Sequence, residues 1–167
     1  MSNTISNTDN TIDSRDVIER IEELQGEREG LETDISEAQE ALTDLKVDLE
    51  YAGTPEESES IGTEVLAADA ALYEAESKLE GWNTDEREEF EALTDLQEQA
   101  EGYCPDWTYG AQLIRDSHFE QAMDEMISEC YDFGENLPSF VTITVDYDAL
   151  QSDYTSVEFD GETYWVR

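Results

Sequence analysis

The strongest constraint in this sequence is a spaced series of apolar residues between Val17 and Ala52. Val17, Ile21, Leu24, Arg28, Leu31, Ile35, Ala38, Leu42, Leu45, Leu49 and Ala52 follow in alternating steps of four and three, and only Arg28 interrupts the apolar series. That alternation keeps one narrow stripe on one side of an α-helix. Most residues off the stripe are Glu, Asp, Gln, Ser or Thr. The stretch therefore specifies a helix that covers a thin seam against a partner helix and presents carboxylates around the rest of its circumference.

The partner follows directly. The first helix is expected from Ser14 to Tyr51, capped by Asp13 or Ser14, with Asp16 in the first turn, where the helix dipole favours an anion. Gly26 and Gly30 flank Arg28 and mark its weakest part, since an interior glycine costs about 1 kcal/mol against alanine. Gly53 suits a C-terminal cap. Thr54-Pro55-Glu56-Glu57 then reads as a new start, with Thr54 as cap, Pro55 as first helical residue and Glu57 closing a capping box. So short a link makes antiparallel neighbours. The second helix has its own seam at Ile61, Val65, Ala68, Leu72, Ala75, Leu79 and Trp82. Gly81 and Asn83-Thr84 predict a kink there, with Thr84 as a fresh cap, before Phe90, Leu93, Leu96 or Gln97, and Ala100 resume the seam out of phase.

Outside the helices the composition changes. Residues 1–13 are mostly Asn, Ser and Thr and are expected to be a disordered tail. After Gly102 aromatic residues become frequent, enough to give a head of about 65 residues a core. In it, Leu113, Ile114, Phe119, Ala122, Met123, Met126, Ile127, Cys130 and Phe133 suggest one helix stopped by Gly134. Phe140 to Val145 suggests a short strand, and Asp146 can cap a helix from Tyr147 to Tyr154. Asp160-Gly161 between Ser156–Phe159 and Glu162–Val166 is a preferred pair for a tight β-hairpin. The expected class is α+β: a disordered tail at 1–13, an acidic coiled-coil helical hairpin at 14–102, and a small α+β domain with a C-terminal β-hairpin at 103–167.

Charge limits what such a chain does. Forty-five acids stand against eight bases, a net charge of −37. Such a surface repels nucleic acid and anionic membranes and attracts basic proteins. Between Arg15 and Gly102 there are twenty-nine acids and six bases. Over a hairpin of roughly 60–70 Å this is one net negative charge per roughly 3 Å of axis, about half the linear density of duplex DNA. Ordinary coiled coils mix Glu with Lys and Arg so that flanking charges pair. Lys46 and Lys78 are the only lysines, a composition that also suits a protein living in strong brine.

The sequence offers little for catalysis. It has no P-loop, dinucleotide fingerprint, nucleophile elbow or zinc spacing. The single histidine, His118, lacks the partners of a catalytic unit, and Asp146-Tyr147-Asp148 lacks the glycine and terminal Glu of a calcium loop. Cys104 and Cys130 read as reduced thiols. No catalytic, cofactor or metal residue is assigned, and the protein is expected to be non-enzymatic. No apolar run approaches a membrane span and no signal peptide is evident, so a soluble, intracellular protein is expected.

Two blocks of the head carry a resemblance: Asp106-Trp107-Thr108-Tyr109-Gly110-Ala111-Gln112-Leu113-Ile114-Arg115-Asp116-Ser117-His118-Phe119, and Asp153-Tyr154-Thr155-Ser156-Val157-Glu158-Phe159-Asp160-Gly161-Glu162-Thr163-Tyr164-Trp165. Residues 103–167 resemble a module in small acidic proteins of bacteriophages and other mobile elements, some described as antirestriction proteins. The resemblance implies a bacterial cytoplasm during infection. It brings no catalytic motif, so no functional residue is carried over.

With the charge, it points to an inhibitor of a restriction enzyme or CRISPR effector that occupies a basic nucleic-acid groove as a DNA or RNA mimic. No direct binding to nucleic acid or membrane is expected, and a homodimer stays open. The contact acids are expected on the first helix at Glu19, Glu22, Glu23, Glu27, Glu29, Glu32, Asp34, Glu37, Glu40, Asp44 and Asp48, and further on at Asp85, Glu86, Glu88, Glu89 and Glu91. The alternative is a structural or adaptor coiled coil of a phage or halophile, acidic for solvation.

Overall fold

A computed structural model describes residues 5–131 and 138–167. The chain is α+β: mostly helical, with one four-stranded antiparallel sheet. It divides into two compact units, one made of the residues up to Ile21 together with Glu91–Arg167, the other of Glu22–Phe90. The division differs from the expected boundary at residue 102, because Leu93, Leu96 and Ala100 are buried in the same unit as the sheet.

The Glu22–Phe90 unit contains most of helix α1 (Ser14–Glu50), all of α2 (Pro55–Asp85) and the start of α3 (Arg87–Glu101). From Leu31 to Trp82 the covered residues are the seam positions of the two helices, joined by Gly62 and Ala52, while the remaining residues are exposed. Thr54 caps α2 as expected, whereas Gly53 lacks the positive φ of a helix C-terminal cap and Glu57 reaches Gly53 rather than the Thr54 N–H. Thr54 Oγ1 accepts from Glu57 N at 3.2 Å, and Glu57 Oε2 accepts from Gly53 N at 3.1 Å. Helix α2 runs on through Gly81 to Thr84, and the interruption expected near Trp82 falls one turn later. Thr84 is no cap: its hydroxyl donates to Glu80 O at 2.8 Å inside the continuing helix. Buried Trp82 holds that turn in place, and the break comes at Glu86, whose N–H still donates to Trp82 O.

The other unit is built on the sheet, in the order β1-β2-β4-β3. The first strand corrects the expectation of a disordered tail over residues 1–13. Thr11–Asp13 forms β1 and pairs with β2 (Gln112–Arg115), Ile12 opposite Leu113. Ile5 and Ile12 are buried, and Tyr164 donates its hydroxyl proton to Asp9 O at 2.8 Å. Two apolar anchors and a strand's worth of backbone pairing hold a segment whose composition alone reads as loose. Ser14 then ties the start of α1 to the turn before β2. Its buried hydroxyl donates to Trp107 O at 2.6 Å and accepts from Ala111 N at 2.7 Å.

The helix expected from Leu113 onward begins only at Phe119. Leu113 and Ile114 belong to β2, a 3-10 turn covers Asp116–His118, and α5 runs Phe119–Cys130. Adjacent residues of a strand point to opposite faces, and both are buried because the sheet is covered on each side. The expected stop at Gly134 lies outside the described residues. Phe140 to Val145 forms no strand; Val141 N donates to Pro138 O in a turn, and Phe140 is 86% exposed. Asp146 does cap a helix, the short α6 (Tyr147–Gln151), accepting from Ala149 N at 3.1 Å. The C-terminal hairpin joins β3 (Thr155–Phe159) to β4 (Glu162–Val166) through Asp160 and Gly161, both at positive φ, 48° and 80°. That pair of angles matches the twist of the strands.

The sheet is covered on both faces. On one side Leu113, Val157, Phe159, Tyr164 and Val166 are buried, and Gln99 of α3 brackets the backbone of Glu158 with one bond to its carbonyl and one from its N–H. On the other, Ile114, Phe119 and Met123 form a cluster flanked by Tyr147, Leu150, Tyr154 and Trp165. Phe119 meets Tyr154 edge-on, with ring centroids 5.2 Å apart.

Candidate functional site

The seam decides where the acids go. A helix turns about 100° per residue, so once the stripe is covered every other direction faces outward. In the Glu22–Phe90 unit, Glu22, Glu23, Glu27, Glu29, Glu32, Asp34, Glu37, Glu40, Asp44 and Asp48 of α1, Asp85 at the end of α2 and Glu88 of α3 are exposed. Glu86 and Glu89 are half-buried. Glu19 and Glu91 are exposed too, but belong to the sheet-bearing unit. The α1 acids spread over the side of the helix away from the seam.

Neutralisation is sparse. The Glu22–Phe90 unit has twenty-three acids and four bases: Arg28, Lys46, Lys78 and Arg87. Arg28 donates to Glu32 at 2.8 Å, and Lys78 meets Glu74 at 2.9 Å. Lys78 is held above the usual lysine range, first by its hydrogen bond to Glu74, then by the charges of Glu74 and Asp34. Four bases leave most of the twenty-three carboxylates without a neutralising charge, so the field around this unit is negative.

One feature was not legible in advance. Arg28, the polar interruption in the seam, lies over the indole of Trp82, its guanidinium carbon 5.8 Å from the ring centroid. Trp82 also packs against Phe90, with centroids 6.0 Å apart. The two glycines flanking Arg28 leave open space, with no atom beyond their own stretch of helix within 4 Å of where a Cβ would stand. Together Gly26, Gly30, Leu31 and Trp82 line a shallow groove of about 410 Å³, edged by Glu27, Asp34, Glu86 and Lys78. The glycine–Arg–glycine spelling was the signal; its distant partner was not readable.

Chemically the surface can attract cations and basic side chains. Among the described residues no group of three or more His, Cys, Asp and Glu has the geometry to hold a metal ion. Cys104 is a buried free thiol that donates to Arg167 O, and Cys130 is free and exposed. No described helix is long and apolar enough to cross a membrane. Comparison with protein-family models, with curated proteins and with solved structures finds no match.

Proposed function

We propose that the chain is a non-enzymatic inhibitor of a bacterial defence system, carried by a phage or other mobile element and active in the host cytoplasm. Its target is a restriction enzyme or CRISPR effector, and it acts as an acidic mimic that fills a basic nucleic-acid groove. The observation that carries this reading is the exposure of the acids combined with the shortage of bases, twenty-three to four in the Glu22–Phe90 unit. A solvated helix needs polar residues off its seam, but it does not need them all of one sign. The reading includes a finer statement about the fold, that α1 and α2 make an antiparallel coiled-coil hairpin. The periodic covering of Leu31 to Trp82 supports it.

The test is capture of binding proteins from the lysate of a defence-bearing bacterium, eluted with salt. A nuclease or guide-RNA effector is expected, released at moderate salt and displaced by duplex DNA. Changing Glu37, Glu40, Asp44 and Asp48 to Lys moves the net charge from −37 to −29 and should greatly weaken capture. Capture indifferent to both DNA and charge reversal rejects the mimic.

A second reading draws on Val47, Leu66 and Tyr73, which are exposed on α1 and α2 off the seam. Apolar surface on a rod suits an adaptor that packs against further helices. In that case Leu42→Asp abolishes function and the charge reversals do not. Loss of helicity below molar salt would instead assign the acidity to life in brine.

A further inference from the structure

The sheet-bearing unit holds an apolar groove that the acidic helices do not explain. It lies between α5, α6 and the extended segment before α6, has a volume of about 560 Å³, and is floored by Met126, Ile127, Ile143, Val145 and Leu150. Asp146 and Asp153 edge it. The segment Pro138–Val145 contains no charged residue in a chain that is 32% charged. Its alternating pattern is that of a strand, yet it joins no sheet, and Phe140, Val141 and Ile143 stay exposed. Strand-forming, charge-free sequence held open beside a groove is surface prepared for a partner.

The surrounding charge selects the occupant. Among the described residues that line the groove, Asp146 and Asp153 are the charged ones, and none is Lys or Arg. A second copy would bring the same acids against these. A segment with apolar side chains for the floor and Lys or Arg for the rim meets both features. We propose that this groove docks a cationic amphipathic segment of the partner protein. The proposal deepens the inhibitor reading, on which it rests for the partner's identity, by adding an apolar anchor beside the electrostatic one.

A labelled peptide with Lys on one face and Leu on the other tests it by fluorescence anisotropy, against a Lys/Gly peptide of equal length and charge. Both are measured with the full chain in about 1 M salt, where the screening length is about 3 Å. The Lys/Leu peptide should bind about tenfold more tightly. Ile143→Asp alters an exposed side chain and should remove that advantage, while the four α1 charge reversals leave it in place. Equal affinity for the two peptides, or an unchanged advantage in Ile143→Asp, overturns the groove. Self-association of the chain abolished by Ile143→Asp would give the groove to a second copy and also overturns the proposal. No nuclease enters this assay, so the mimic reading and the groove fail separately.

Discussion

The two units bury their residues by different rules. The sheet-bearing unit has side chains with almost no exposure from each of its parts: Val17, Leu93, Trp107, Leu113, Phe119, Val157, Tyr164 and Val166. The Glu22–Phe90 unit buries Leu24, Leu42, Ala75 and Trp82, half-covers the other apolar seam residues and leaves Arg28 exposed. In the first unit distant segments converge on a sheet, and each buried residue is held by several others. In the second a periodic stripe is covered and most other residues are solvated. The difference implies that a single substitution propagates through the first unit and stays local in the second.

The largest expected effect follows. Trp107 is 1% exposed, and Trp107→Ala should cost about 3–5 kcal/mol, the range for a buried aromatic. Leu45 is half-buried on the α1 seam, and Leu45→Ala should cost about 1–2 kcal/mol. Urea unfolding followed by circular dichroism compares the two. Equal losses would break the contrast between a convergent core and a stripe. Next comes Ser14→Ala, which leaves Ala111 N and Trp107 O without a buried partner. A loss of about 1–3 kcal/mol is expected, the penalty for an unmet buried polar group. Ser14→Thr, which keeps the hydroxyl, separates that penalty from side-chain volume.

The contrast also explains which parts the sequence disclosed. Helix α1 was legible because eleven positions from Val17 to Ala52 repeat one rule, and the start of α2 because Thr54 and Pro55 each have a local role. The Asp160-Gly161 hairpin was legible for the same local reason. β1 and β2 were not. They have three and four residues, and their pairing joins Ile12 to Leu113, a partner no window of sequence contains. Leu113 and Ile114 looked helical only because Phe119 and Met123 follow at suitable spacing. The exposure of the acids was readable from the seam. The place of Arg28 over Trp82 was not, because the two residues lie far apart in the sequence.

A smaller effect of opposite sign sharpens the picture of the stripe. Gly26 and Gly30 lie inside α1 with open space where a Cβ would go. Replacing both with Ala should stabilise the helix by about 1 kcal/mol each. If thermal melting rises and partner capture is unchanged, the glycines are tolerated weaknesses. If melting rises and capture falls, the groove over Trp82 takes part in recognition. A fall in melting would mean that something closes on the glycines.

The subtlest test separates the units by pH. Tyr164 is buried in the sheet-bearing unit, and burial pushes its hydroxyl pKa above the ordinary value of about 10. Nearby Arg115 opposes that shift, and the charges of Asp9 and Glu162 add to it. The unfolded chain ionises first, so the folded form is penalised as pH rises. The stability that Tyr164 contributes is complete below about pH 10 and is lost as pH climbs through the raised folded value. Tyr164→Phe removes the titration and also the hydrogen bond to Asp9 O, which anchors the residues before β1. At neutral pH the variant should be less stable by about 0.5–1.5 kcal/mol, the usual net worth of such a bond. Above about pH 10 the wild type should lose its advantage, because the Tyr164 phenol, which the variant lacks, ionises on unfolding. Urea midpoints for both proteins, measured across that range, give the answer. A gap that stays constant with pH would mean that Tyr164 is not buried in the working fold, and that the N-terminal segment is held by Ile5, Ile12 and strand pairing alone.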